Sequence, residues 1–134
     1  MEIRKAKFPD SVMLAETDRI AGKEMKFWAV QSEKDFKKSI KVKNYLAIVA
    51  FSDGRMVGYL DSEYDSWKKI VWLKNIFVLK KFRRNKVAKM MLKALEKYWK
   101  SKVDLCVLLT SDRNLKIFEK LGFKKTMNYM MRKI

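Results

Sequence analysis

The sequence predicts an α/β fold built on one sheet, and three observations carry that expectation. Apolar runs of strand length, rich in β-branched and aromatic residues, occur at residues 45–51, 56–64, 69–79 and 103–109. Between the last two, Val87, Met91, Ala94, Leu95 and Tyr98 recur at helical spacing, while Lys89, Lys93, Glu96, Lys97 and Lys100 take the other face. The 134 residues, 49% hydrophobic and 35% charged, suit one domain with a real core, and no repeat, linker or low-complexity segment divides them. Residues 1–134 are therefore expected to form a single domain.

Taken in order, residues 2–7 alternate weakly around Ile3 and Ala6 and read as a short first strand ending at Pro9. Pro9, Asp10 and Ser11 suit the first turn of a helix, for which Gly22 is the expected stop. An irregular stretch holding Met25, Phe27, Trp28 and Val30 follows. Ser32 with Asp35 makes a capping box for a second helix, whose inner face is Phe36 and Ile40. Residues 45–51 and 56–64 form a hairpin across Ser52, Asp53, Gly54 and Arg55, and Gly58 marks a bulge or a close backbone approach. A turn at 65–68 leads into the strand 69–79, the long helix, and a buried strand at 103–109. Ser111 and Asp112 cap a short helix ending at Gly122, and residues 124–134, with Tyr129, Met130 and Met131, supply a final strand.

The junction between the strand ending at Val78 and the long helix organises the chain. It holds five basic residues, Lys80, Lys81, Arg83, Arg84 and Lys86, just ahead of a helix N-terminus. Unpaired backbone N–H groups and the positive end of the helix dipole suit a phosphate there.

Val78, the link through Phe82, and Arg83-Arg84-Asn85-Lys86-Val87-Ala88 resemble in spacing the cofactor motif of the GNAT acetyltransferase superfamily, Arg/Gln-x-x-Gly-x-Gly/Ala. The doubled Arg and closing Ala look most like the branch that acetylates protein N-termini. Lys86 stands where the family has Gly. Further on, Ile117-Phe118-Glu119-Lys120-Leu121-Gly122-Phe123 is similar to the family's Leu-Tyr-Glu-Lys-Leu-Gly-Phe, with Phe118 in place of Tyr. The resemblance spans residues 45–123 and implies the topology β-α-α-β-β-β-α-β-α-β, a mixed, mainly antiparallel sheet with helices on both faces.

The same resemblance implies that acetyl-coenzyme A binds with its pantetheine arm on the main chain of Ile76, Phe77 and Val78. The diphosphate would rest on the turn of Arg83, Arg84, Asn85, Lys86, Val87 and Ala88, with Lys89 adding charge, and Ser111 and Asn114 would lie near the cofactor. In this family the helical pair overlies the acceptor cleft, and Phe27 and Trp28 are candidates for shaping it, or else core residues. The implied function is acetyl transfer to a primary amine, of a protein or peptide, without a covalent enzyme intermediate. Its alternative is a weak or inactive module of this fold that binds acyl-coenzyme A, an acidic partner or nucleic acid.

Residue types narrow the chemistry. The chain has no histidine, which removes Ser-His-Asp and Cys-His catalysis and argues against a zinc site, so no metal is expected. A general base must then be a carboxylate. Asp61 and Glu63 lie two apart on one strand face and are the candidates, or else an exposed strand edge that discourages aggregation. The single cysteine, Cys106, lies in an apolar run, so it forms no disulfide within the chain and is expected as a buried, inert thiol. Lys and Arg number 32 against 15 Asp and Glu, a formal charge of +17, which suits an acidic partner or nucleic acid better than a polyamine. Lys-rich chains also occur where proteins work hot. With no apolar signal core and no run near the ~20 residues a membrane span needs, a cytoplasmic location without membrane contact is expected.

Overall fold

The computed structural model describes residues 1–26, 29–128 and 130–134. Its strands are β1 (Glu2–Lys5), β2 (Tyr45–Ser52), β3 (Arg55–Asp65), β4 (Ile70–Val78) and β5 (Leu105–Val107), and its helices are α1 (Ser11–Met25), α2 (Glu33–Ile40), α3 (Val87–Trp99) and α4 (Leu115–Lys120). The strands hydrogen-bond in the order β1-β2-β3-β4-β5. The first four run antiparallel, whereas β5 runs parallel to β4.

Period-two alternation along β2 splits the core into two layers. Leu46, Ile48 and Ala50 face α3 and pack with Val87, Met91, Leu95 and Trp99, while Ala47, Val49 and Phe51 face α1 and α2 and pack with Leu14, Ala21 and Phe36. Helices therefore cover both faces of the sheet, as expected. Tyr98 does not belong to the inner face of α3. It is 48% exposed and accepts a hydrogen bond from Lys5 Nζ at 3.0 Å. Trp99 takes the buried place instead, stacked on Tyr64, because the buried residues 87, 91, 95 and 99 repeat every four positions.

Two bulges set the geometry that the site uses. Opposite Ala50 and Phe51, β3 carries one extra residue, Val57, and at the adjacent Gly58 an added Cβ would lie 2.9 Å from the carbonyl oxygen of Phe77. The expectation of a bulge or close approach at Gly58 is met in both senses. On β4 the extra residue is Lys74, since Asp61 pairs with Asn75 and Ser62 with Leu73. That insertion reverses which residues of β4 face which layer. Leu73 packs toward α3, and beyond the bulge Phe77 packs toward α1.

The capping box forms as read. Ser32 Oγ accepts from the Asp35 amide at 3.2 Å and Asp35 Oδ2 accepts from the Ser32 amide at 2.9 Å. Gly22 does not stop α1. The helix continues to Met25 and ends at Lys26, which is left-handed at φ 63° and donates its amide to the Gly22 carbonyl. A glycine lowers helix stability by about 1 kcal/mol without ending the helix, and packing of Ala21 carries α1 past it. Ser111 precedes a short 3-10 turn at Asp112–Asn114 and offers only its carbonyl, because its side chain makes no cap bond. Gly122, at φ 96°, ends the last helix as expected.

The far edge of the sheet differs most from expectation. The strand read at 103–109 contracts to Leu105–Val107, with Leu105 62% and Leu109 64% exposed. Among the described residues, 124–134 form no strand, and Met130 and Met131 lie exposed. That segment holds four cations and no acidic side chain, and no ladder along β5 offsets the loss of its chain entropy. Phe27, Trp28 and Tyr129 fall outside the described residues.

Candidate functional site

The ladder between β4 and β5 pairs only Ile70 with Leu105, Val71 with Cys106 and Trp72 with Val107. Beyond that point β4 continues through residues 73–78 with no partner on its β5 side among the described residues, while Ile76, Phe77 and Val78 stay paired to β3 on the other. A parallel pair that opens in this way leaves a run of main-chain donors and acceptors facing a cleft. The open edge of β4 runs to Val78, and the turn that opens α3 at Val87 follows it in the chain.

None of the amides of residues 84–89 donates to an acceptor among the described residues, and Lys86, the N-cap of α3, makes no side-chain cap bond. Arg84 and Lys86 are both left-handed, at φ 70° and 63°, on either side of Asn85. Alternation of this kind turns consecutive N–H groups toward one point and forms an anion nest. Lys86 thus holds a left-handed backbone that glycine adopts freely, and does so against a steric cost of about 1–2 kcal/mol. Arg84, Asn85, Lys86 and Lys89 are exposed around the nest, Val87 is buried beneath it and Ala88 is half-buried.

Arg83 departs from the sequence reading. Its guanidinium turns to the α1 side, where Nε donates to the Val78 carbonyl at 2.9 Å and Nη2 pairs with Glu24 Oε2 at 2.5 Å. The charge beside the amides therefore comes from Arg84, Lys86 and Lys89. Ser111 is exposed, and Asn114 is half-buried at the start of α4. Phe118 packs edge-on against Phe123 with ring centres 5.9 Å apart, as part of the apolar layer under α3.

The two candidate carboxylates part company. Glu63 is exposed and lies 3.6 Å from Lys74, a surface pair worth little. Asp61 is 1% exposed, and its two oxygens accept from the Tyr45 hydroxyl at 2.7 Å and from Asn75 Nδ2 at 2.8 Å. Burial outweighs both hydrogen bonds and pushes its carboxyl up to about 6. A second buried carboxylate, Asp18 of α1, accepts from the Tyr59 hydroxyl and from the Gln31 amide, and its charge adds to the upward push on Asp61. Burial, then Asp61, holds the Tyr45 phenol far above its usual range, and burial, then the hydrogen bond to Asp18, does the same for Tyr59. No cation pairs with either carboxylate among the described residues, although the chain carries 32.

A narrow cavity of about 10 Å³ lies beside this network, lined by Ala21, Met25, Tyr59, Asn75, Ile76 and Phe77. It is near the lower limit for a single water. It opens between the last turns of α1 and the freed part of β4. A larger open concavity of about 570 Å³ lies at the β1 edge, but its charged pair, Arg4 and Asp10, is already joined at 2.7 Å. Asp18, Tyr45, Tyr59 and Asn75 were not singled out in the sequence. The available signal was Asp18 itself, a carboxylate in line with the apolar stripe of Leu14 and Ala21.

Cys106 is half-buried on β5, and burial with the nearby Glu96 pushes its thiol up to about 11. No group of His, Cys, Asp or Glu suited to a metal occurs among the described residues, and no helix there is long and apolar enough to cross a membrane.

A family model described as Acetyltransferase (GNAT) family matches residues 12–123. Solved structures share the fold at low identity. The tetramutant of the BH1408 protein from Bacillus halodurans superimposes with a TM-score of 0.84 at 17% identity, covering 100% of both chains. The aminoglycoside N-acetyltransferase AAC(6')-Iy in complex with CoA gives 0.83 at 21% identity, covering 99% of this chain and 93% of that one. The aminoglycoside acetyltransferase meta-AAC0020, from an uncultured soil metagenomic sample and in complex with sisomicin, gives 0.79 at 13% identity, covering 99% and 95%. Comparison with curated proteins returns no match. The likeness to the branch that acetylates protein N-termini is not among these findings.

Proposed function

The chain belongs to the acetyltransferase (GNAT) family, and from that premise we propose that it transfers the acetyl group of acetyl-coenzyme A directly to a primary amine carried by a protein or peptide. The observation that carries the reading is the set of uncapped amides at residues 84–89, placed where β4 has lost its neighbour. Those amides, with Arg84, Lys86 and Lys89, would hold the diphosphate, and the open edge of β4 would align the pantetheine arm through Ile76, Phe77 and Val78. Asn85, Val87 and Ala88 would contribute main-chain groups, and Ser111 and Asn114, ahead of α4, would meet the cofactor from the β5 side. Acetyl-coenzyme A, the family's cosubstrate, supplies an acyl group on a thiolate leaving group.

The residues of this chain then have three tasks. Asp61 accepts the proton of the entering ammonium by relay through water in the cavity that its partner Asn75 lines, and a carboxyl at about 6 is mostly ionised and still basic at neutral pH. Asn75 and Tyr45 hold it in place, and Glu63 stays at the surface with Lys74. Phe118 has no proton to give and the two buried tyrosines keep theirs, so the departing thiolate takes its proton from solvent. Direct transfer follows from Cys106, whose thiol is half-buried and held neutral.

For the acceptor, the +17 charge repels a polycation and attracts an acidic peptide. Coenzyme A release should therefore be faster with acidic peptides bearing a free amine than with sisomicin, and the rate should rise with pH through about 6 as Asp61 loses its proton. Release with sisomicin alone would overturn the acceptor assignment. Coenzyme A binding with no release from any amine would favour the non-catalytic module instead.

A further inference from the structure

Arg83 opens the phosphate turn in the chain, yet its side chain serves a different part of the molecule. Besides donating to the Val78 carbonyl and to Glu24, the guanidinium lies over the ring of Phe77, 5.4 Å from its centre. Glu24 belongs to the last turn of α1, next to Met25, and Met25 and Phe77 are facing walls of the narrow cavity beside Asn75. One side chain thus joins the end of β4, the wall of the narrow cavity and the turn whose amides stand free. As a surface ion pair it contributes little stability, since the two side chains are 40% and 38% exposed. Its consequence lies in which pieces it connects.

The turn at 83–86 is the least supported part of this assembly. It holds two left-handed residues that are not glycine, and residues 84–86 donate no backbone hydrogen bond among the described residues. Such a segment opens locally at low cost until a ligand orders it. The end of α1 is held by the amide of the left-handed Lys26 on the Gly22 carbonyl and by Glu24 on Arg83.

We infer that Glu24 is a positioning residue which, through Arg83, couples occupation of the phosphate turn to ordering of the last turn of α1, so that the wall of the narrow cavity beside Asn75 is set only when the cofactor is in place. The inference rests on the assignment of the diphosphate to residues 84–89. Ordering the turn fixes Arg83, and Arg83 then holds Glu24 and with it Met25 against Phe77. By linkage the coupling is reciprocal, so whatever orders the last turn of α1 also tightens the cofactor.

Amide hydrogen exchange on the full chain, with and without coenzyme A, tests this. Coenzyme A should slow exchange at residues 84–89 and also, by about fivefold, at residues 22–26, which lie across the Glu24–Arg83 pair from the phosphate turn. Glu24→Gln should keep the first effect and lose the second, and Glu24→Asp should restore part of it. Slowing at 84–89 without any at 22–26 in the unaltered chain would overturn the coupling. Equal slowing at 22–26 in Glu24→Gln would overturn the role of Glu24, as would faster exchange there by the same factor with and without ligand. Absence of slowing at 84–89 would overturn the phosphate assignment itself.

Discussion

Asp61→Asn is expected to make the protein more stable and to lower acetyl transfer by about 10²–10⁴-fold. The folded chain buries this carboxylate without a cation and pushes it from 3.8 to about 6. The folded state therefore binds the proton more tightly than the unfolded chain, so ionisation opposes folding. The penalty approaches about 3 kcal/mol above pH 6 and fades as the pH falls toward 4. Asparagine keeps the shape and can meet Tyr45 and Asn75 without a charge. Denaturant unfolding at several pH values should show the variant ahead by roughly 2 kcal/mol at pH 7–8, with the gap closing near pH 4. Loss of stability at neutral pH would mean that Asp61 is a structural anchor, and unchanged turnover would remove it from the reaction.

Lys86→Gly should act in the same two directions. Lysine at φ 63° is strained, and glycine adopts that conformation freely, so the variant should gain about 1 kcal/mol after allowing for the added freedom of its unfolded chain. The nest is already formed by the lysine backbone, so glycine adds nothing to its shape and removes one ammonium from the mouth of the cleft. Coenzyme A affinity should fall about tenfold, the loss of one charge-assisted contact. Thermal unfolding and calorimetric titration of the same variant separate the effects. Tighter binding would show instead that the lysine side chain obstructs the diphosphate. Both variants exchange function for stability, as expected where a chain tolerates a buried charge or a strained residue for the sake of its chemistry.

What could be read in advance was local. The capping box of Ser32 and Asp35, the bulge at Gly58, the stop at Gly122 and the start of α3 at Val87 each depend on neighbours in the chain. The motif from Arg83 to Ala88 marked a turn with left-handed residues and free amides, a backbone conformation that a short segment can encode. Misreadings came where distant contacts decide. Gly22 is carried through α1 by packing, Trp99 displaces Tyr98 by its place on the sheet, and Arg83 is drawn aside by Glu24. Asp61 and Glu63 look equivalent on one strand face, and only the layer of α1 and α2 buries the first and leaves the second in water. Among the described residues the final strand is absent, in a segment that carries four cations and no acidic side chain.

The central claim is that the free main-chain N–H groups at the head of α3 receive a diphosphate. Following backbone amide resonances of ¹⁵N-labelled protein during titration with coenzyme A addresses it directly. The account predicts saturable shifts at residues 84–89, the largest in the chain, and their loss when coenzyme A is replaced by pantetheine, which lacks the phosphates. Undisturbed amides at 84–89 while coenzyme A binds elsewhere, or equal shifts with pantetheine, would contradict it.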